Sequence, residues 1–134
     1  MRVCVFFFFS DRHFTRSDAK KVSFKPSFTL PCAQALSKFI STSSTLQHVI
    51  LRHNKIHDVI FHVIAEAGTK STSLQSLDVT GNVIGDDVKN DVIKFMAGAK
   101  TLRTLYLHEN EIREEVRKVL VEESAGLEDF TLSL

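Results

Sequence analysis

Three stretches of this chain align without a gap: Leu46-Gln-His-Val49-Ile-Leu51-Arg-His-Asn54-Lys-Ile56, Leu74-Gln-Ser-Leu77-Asp-Val79-Thr-Gly-Asn82-Val-Ile84 and Leu102-Arg-Thr-Leu105-Tyr-Leu107-His-Glu-Asn110-Glu-Ile112. They begin 28 residues apart, and five positions match in residue type in all three. A shorter stretch, Leu127-Glu-Asp-Phe130-Thr-Leu132, starts 25 residues after the third. A constant period of this length constrains the fold more than any other feature. Each unit is one supersecondary element that buries its apolar face only by stacking on its neighbours.

Between these stretches the apolar period changes. Ile56, Ile60, Val63, Ile64 and Ala67 mark one face of an amphipathic helix, as do Ile84, Val88, Val92 and Phe95, then Ile112, Val116, Val119 and Leu120. Asp58, Asp86 and Glu114 stand at the expected helix starts, where negative charge meets the helix dipole. Gly68, Gly98 and Gly126 follow as expected helix caps. Each unit reads as strand, turn, helix, turn. The pattern predicts parallel strands near 47–51, 75–79, 103–107 and 128–132, and helices near 32–41, 58–67, 86–97 and 113–124.

The unit resembles a leucine-rich repeat of the ribonuclease-inhibitor-like class, over roughly residues 46–134. The resemblance implies an α/β fold: a short curved solenoid with parallel strands on the concave side and helices on the convex side. It also implies a ladder of Asn54, Asn82 and Asn110 bonding backbone in the turns. A strand turning sharply into a helix leaves buried N–H and C=O groups that a carboxamide can satisfy. Upstream, Val22 and Phe24 precede Val49 and Leu51 by 27 residues, and Pro31 to Ile40 suits a helix with Ala33, Leu36, Phe39 and Ile40 inward. Ser27 replaces the Asn there and Pro26 precedes it, so this coil is degenerate. The expected organisation is an irregular segment over 1–21, a degenerate coil at 22–45, clear repeats at 46–73, 74–101 and 102–126, and a truncated repeat at 127–134.

Arg2 and the apolar run Val3 to Phe9 have the outline of a signal peptide. The run is short, however, and Ser10-Asp11-Arg12-His13 offers no small-x-small cleavage site. A buried strand, or a start where a longer protein was cut, fits better. Seven basic against two acidic residues lie in 1–45, and four against eight in 101–134. The whole carries +1, which argues against nucleic-acid or membrane binding by charge. Two cysteines make no disulfide framework, and no Asn-x-Ser/Thr acceptor occurs, so a reduced, cytoplasmic chain is expected.

No catalytic motif is present. The five glycines are scattered, with no phosphate-cradling loop, and no serine sits in a Gly-x-Ser-x-Gly turn. His48, His53, His57 and His62 crowd one repeat, but the resemblance distributes them over the strand face, the turn and the helices, so no metal, cofactor or catalytic residue is expected. What remains is a surface. Alternate strand side chains point away from the core and form columns across a parallel sheet. The first is His48, Ser76, Thr104, Asp129; the second Ile50, Asp78, Tyr106, Thr131; the third Arg52, Thr80, His108, Ser133. The candidate partner-binding residues are His48, Ile50, Arg52, Asp78, Thr80, Thr104, Tyr106 and His108.

The resemblance implies a non-catalytic scaffold that binds another protein of unknown identity. The runner-up is a regulatory module of a larger protein, like the repeats of intracellular immune receptors, tropomodulin-like actin regulators or GTPase-activating proteins for Ran. With Phe130 and Leu132 expected at an uncovered end, the chain is expected to be a piece of a longer solenoid or to self-associate there.

Overall fold

The computed structural model describes residues 4–7, 21–24 and 28–134. Its strands are β1 (Cys4–Phe7), β2 (Lys21–Phe24), β3 (His48–Ile50), β4 (Ser76–Asp78), β5 (Thr104–Tyr106) and β6 (Thr131–Ser133). Its helices are α1 (Leu30–Thr42), α2 (Asp58–Lys70), α3 (Lys89–Gly98, preceded by a 3-10 turn at Asp86–Val88) and α4 (Glu114–Ala125). All six strands pair in chain order, each parallel to the next. Parallel neighbours require a crossover. Here a helix supplies it between each consecutive pair from β2 to β6.

The register follows the 28-residue period. Val49 aligns with Leu77 and Leu77 with Leu105, and these three side chains are fully buried. Upstream, Val22 aligns with Val49, so the degenerate coil joins the sheet in the expected frame. Residues 25–27, with Pro26 and Ser27, lie outside the described residues, as do residues 8–20. Within the segment 1–21, expected to be irregular, Cys4–Phe7 extends the sheet as a strand beside β2, in line with the strand reading of the apolar run Val3 to Phe9.

The core lies between sheet and helices. Leu36 and Ile40 of α1, Ile60, Phe61 and Ile64 of α2, Val92 and Phe95 of α3, and Leu120 of α4 meet the inward strand residues. Gly68 is not a cap. It lies within α2, and a Cβ there would sit 2.4 Å from the Phe95 ring of α3. The helix is thinned at that point so that a large ring can enter. Gly98 is the last residue of α3, and Gly126 ends α4 at φ −87°, outside the left-handed region. The helices instead give way to extended residues at Ser43, Ser71 and Ala99.

The last unit departs from expectation. Thr131, Leu132 and Ser133 align with Thr104, Leu105 and Tyr106, so the strand runs 131–133 and its frame is displaced by two residues. A slip of one residue would turn the apolar set outward, but a slip of two keeps every side chain on its face. Phe130, Leu132 and Leu134 alternate identically in both frames, and all three are half-buried against the core.

Truncating Leu77 should cost about 2–5 kcal/mol through the cavity it leaves. Gln75→Ala, on a half-exposed side chain outside the core, should stay within about 0.5 kcal/mol of wild type. Urea unfolding of the two variants measures the contrast, and equal midpoints would contradict the register.

Candidate functional site

The side chains that hold the coils together must be separated from those left over. Asn82 is buried, and its Oδ1 accepts the N–H groups of Asn54 (2.8 Å) and Ile56 (2.9 Å) in the preceding coil. Its Nδ2 donates to the carbonyls of Leu51 (3.0 Å) and Val79 (2.8 Å). Asn110 repeats the scheme: Oδ1 accepts from Ile84 N–H (3.0 Å), and Nδ2 donates to Val79 O (3.0 Å) and Leu107 O (3.1 Å). Asn54 donates to Arg52 O at 2.9 Å. Asn82 and Asn110 therefore tie their turns to the one before.

The residue before each asparagine turns left-handed, at φ 56° for His53, 74° for Gly81 and 57° for Glu109. Gly81 alone suits that conformation, and a Cβ there would also meet the His53 ring at 2.2 Å. Gly81→Ala should destabilise by about 1–2 kcal/mol, whereas Glu109→Gly should be neutral or stabilise by up to about 1 kcal/mol. Thermal unfolding of both variants reads the opposite signs.

Two further ladders run at the same period. Ser73 Oγ donates to Leu46 O (2.6 Å) and Thr101 Oγ1 to Leu74 O (2.7 Å), each from the residue before a repeat leucine. Asp58 Oδ1 accepts Gly85 N–H (2.6 Å) and Asp86 Oδ1 accepts Arg113 N–H (2.8 Å). These carboxylates stand at the helix starts as expected, but they bond the next coil rather than capping their own helix. The Arg113 N–H and then the Arg113 side chain hold Asp86 below its ordinary carboxylate range, against the effect of burial. A depressed folded value means that its contribution is present above the unfolded value and lost as pH falls through the folded one. On acidification below about pH 4, wild type should lose its advantage over Asp86→Asn, as read from urea midpoints at several pH values.

The remaining outward strand residues form the candidate surface. In the first column His48, Ser76, Thr104 and Thr131 are neighbours, with Thr131 standing where Asp129 was expected. His48 Nδ1 lies 2.8 Å from Ser76 Oγ. In the second, Ile50, Asp78, Tyr106 and Ser133 are neighbours, Ser133 replacing the expected Thr131. Asp129 is instead a turn residue at φ 56°. Arg52, Thr80 and His108 continue the third column: His53 N–H bonds Thr80 O (3.0 Å) and Gly81 N–H bonds His108 O (2.9 Å). The His108 ring meets the Ser133 hydroxyl on a diagonal.

Asp78 and Arg52 were both expected on this surface, but their pairing at its centre was not. Asp78 is only 4% exposed although it is on the open face of the sheet. Arg52 Nε donates to Asp78 Oδ2 at 2.5 Å, and Thr80 N–H donates to Oδ1 at 3.1 Å. Ile50 and Tyr106 flank it on the adjacent strands. The sequence signal was a diagonal one, with Arg at the third outward position of one unit and Asp at the second outward position of the next.

On the helix side His57 precedes α2, and His62 Nδ1 meets Asp91 Oδ1 at 2.7 Å across α2 and α3. A groove of about 160 Å³ opens beside that pair, lined by Glu66, Thr69, Lys70 and Lys94 among others. Its charges are mixed in sign. Among the described residues no helix is long and apolar enough to cross a membrane.

Residues 42–60 and 70–87 match a family model described as "Leucine Rich repeat". The chain carries leucine-rich repeats. The third copy, from Leu102, lies outside the matched residues yet keeps the register of the other two. The solved structure "Leiomodin-1 Actin-Binding Site 2 (ABS2)" is similar in fold, with TM-score 0.75 and 11% identity, over 87% of this chain and 70% of that one. No curated protein matches the chain. Repeat domains of this kind generally serve as protein-interaction modules.

Proposed function

We propose that this chain is a non-catalytic protein-interaction scaffold whose binding surface is the open face of the sheet. The observation that carries the reading is a division of labour. The inward leucines, the asparagines, the pre-leucine hydroxyls and the helix-start carboxylates are engaged in holding one coil to the next. Ile50, Thr80, Thr104 and Tyr106 stand in columns outside that duty, and His48, Arg52 and His108 share the face with them, each paired with one residue of the next coil. Tyr106 is exposed at 37%, and Tyr and Arg are favoured interface anchors.

The test compares proteins captured by wild type, by Ile50→Ser/Tyr106→Ala, and by the helix-side variant Lys70→Glu/Lys94→Glu. The scaffold reading expects the first pair of substitutions to abolish capture and the second to leave it intact. Capture lost only with the helix-side variant would move the interface to α2 and α3.

A second reading, a regulatory module in the manner of actin regulators, draws support from the fold likeness to an actin-binding segment of leiomodin. Co-sedimentation with actin filaments tests it, and binding lost with Ile50→Ser/Tyr106→Ala would join the two readings. Accelerated GTP hydrolysis by Ran would instead support the activating-protein variant.

A further inference from the structure

This inference rests on the reading that the open face binds protein, and it concerns the chemistry of what is bound. Among the described residues of the three outward columns, Asp78 is the single carboxylate. It is already engaged. Its side chain is 5% exposed, with one oxygen taken by Arg52 Nε and the other by Thr80 N–H. The face therefore has no uncovered anion in these columns to offer a basic partner.

Arg52 is placed differently. Its side chain is 58% exposed, and its one bond among the described residues uses Nε alone. The two Nη groups make no bond to the described residues and remain as donors. A guanidinium anchored through Nε by a buried carboxylate has lost much of its rotamer freedom before any partner arrives. Engaging a second anion then costs less ordering than it would for a free arginine. Beyond Asp78, Tyr106 is exposed and its hydroxyl has no partner among the described residues. Ile50 supplies apolar surface on the other side.

We infer that the open face takes an acidic segment of a partner protein, with a carboxylate accepting from the Arg52 Nη groups and neighbouring apolar atoms resting against Ile50 and Tyr106. A charge-assisted bond to a pre-oriented guanidinium supplies the specificity. A basic segment would find no uncovered carboxylate in these columns to pair with. Nucleic acid is disfavoured because one arginine is not the row of cations that a phosphate backbone requires.

The test pans random short displayed peptides on the full chain. Binding of the recovered peptides is then measured by fluorescence anisotropy and mapped by amide chemical shifts. The proposal expects recovered peptides enriched in Asp and Glu, shifts centred on β3 to β5, and affinity that falls with added salt. Arg52→Gln should weaken binding about tenfold or more. That variant leaves Asp78 buried without its cation and can lose stability for that reason alone. The double variant Arg52→Gln/Asp78→Asn removes both charges; it should unfold as cooperatively as wild type and bind as weakly as Arg52→Gln. Peptides that shift β3 to β5 without acidic enrichment, or that bind the double variant unchanged, would overturn the acidic chemistry and leave the binding face standing. Shifts confined to the helices, or no recovered binder, would overturn both. Tighter binding of a single-stranded oligonucleotide than of any peptide would overturn the protein partner.

Discussion

The Asn82 carboxamide sits where two coils change direction together. A strand that bends into a helix takes its backbone out of the ladder, and the freed groups at Leu51, Asn54, Ile56 and Val79 point into a dry interior. One side chain answers all four, with two N–H groups donating to its oxygen and two carbonyls accepting from its nitrogen. Leaving such groups without partners costs about 1–3 kcal/mol each, a large share of the stability of a small domain. Because Asn82 comes from one coil and most of its partners from the preceding one, it fixes the stacking distance and the register at once. A neighbour shifted along the strand would lose those bonds as a set.

That registration has a consequence on the other side of the sheet. Once Val49, Leu77 and Leu105 lie side by side beneath, Ile50, Asp78 and Tyr106 lie side by side above. The fold determines where the outward columns stand but not which residues fill them. Asp78 is the exception, because a carboxylate at 4% exposure has to be compensated where it stands. Arg52 provides that compensation across adjacent strands, and so one member of the open face is tied to the stability of the coil beneath it. Charge placed in this way trades some tolerance of substitution for a guanidinium held in one orientation.

Most of the architecture was legible because it is periodic. Leucines and asparagines at a constant spacing dictate parallel strands, and the alignment of Val22 with Val49 shows how far a weak copy can be followed. The misplaced last strand has a simple cause: side-chain alternation has period two, and Phe130, Leu132 and Leu134 satisfy two frames equally. Backbone bonds from Thr131 N–H to Arg103 O and from Leu107 N–H to Ser133 O choose between them. The hydroxyl ladder was equally periodic, at Ser73 and Thr101, but the hydroxyls sit just outside the apolar pattern on which the reading rested. The Arg52–Asp78 pair was harder to see. Both residues were assigned to the open face, in different columns, and only a diagonal comparison between columns brings them together.

The helix side obeys a different rule. There Phe95 of α3 enters the space left by Gly68 of α2, and Gly98 of α3 lies close to Thr69 of α2. Close-packed interiors reject changes of even one methylene unless a partner changes in compensation, so each helix is matched to its own neighbours. The backbone ladders are interchangeable between coils, and the helix packing is not. A coil transplanted within this chain would keep its asparagine bonds and its strand register but would bring the wrong ring to the wrong glycine. Order along the stack is therefore specified by the helices and register by the turns. The open face of the sheet, constrained mainly at Asp78, is where side-chain identity is freest to answer to something outside the chain.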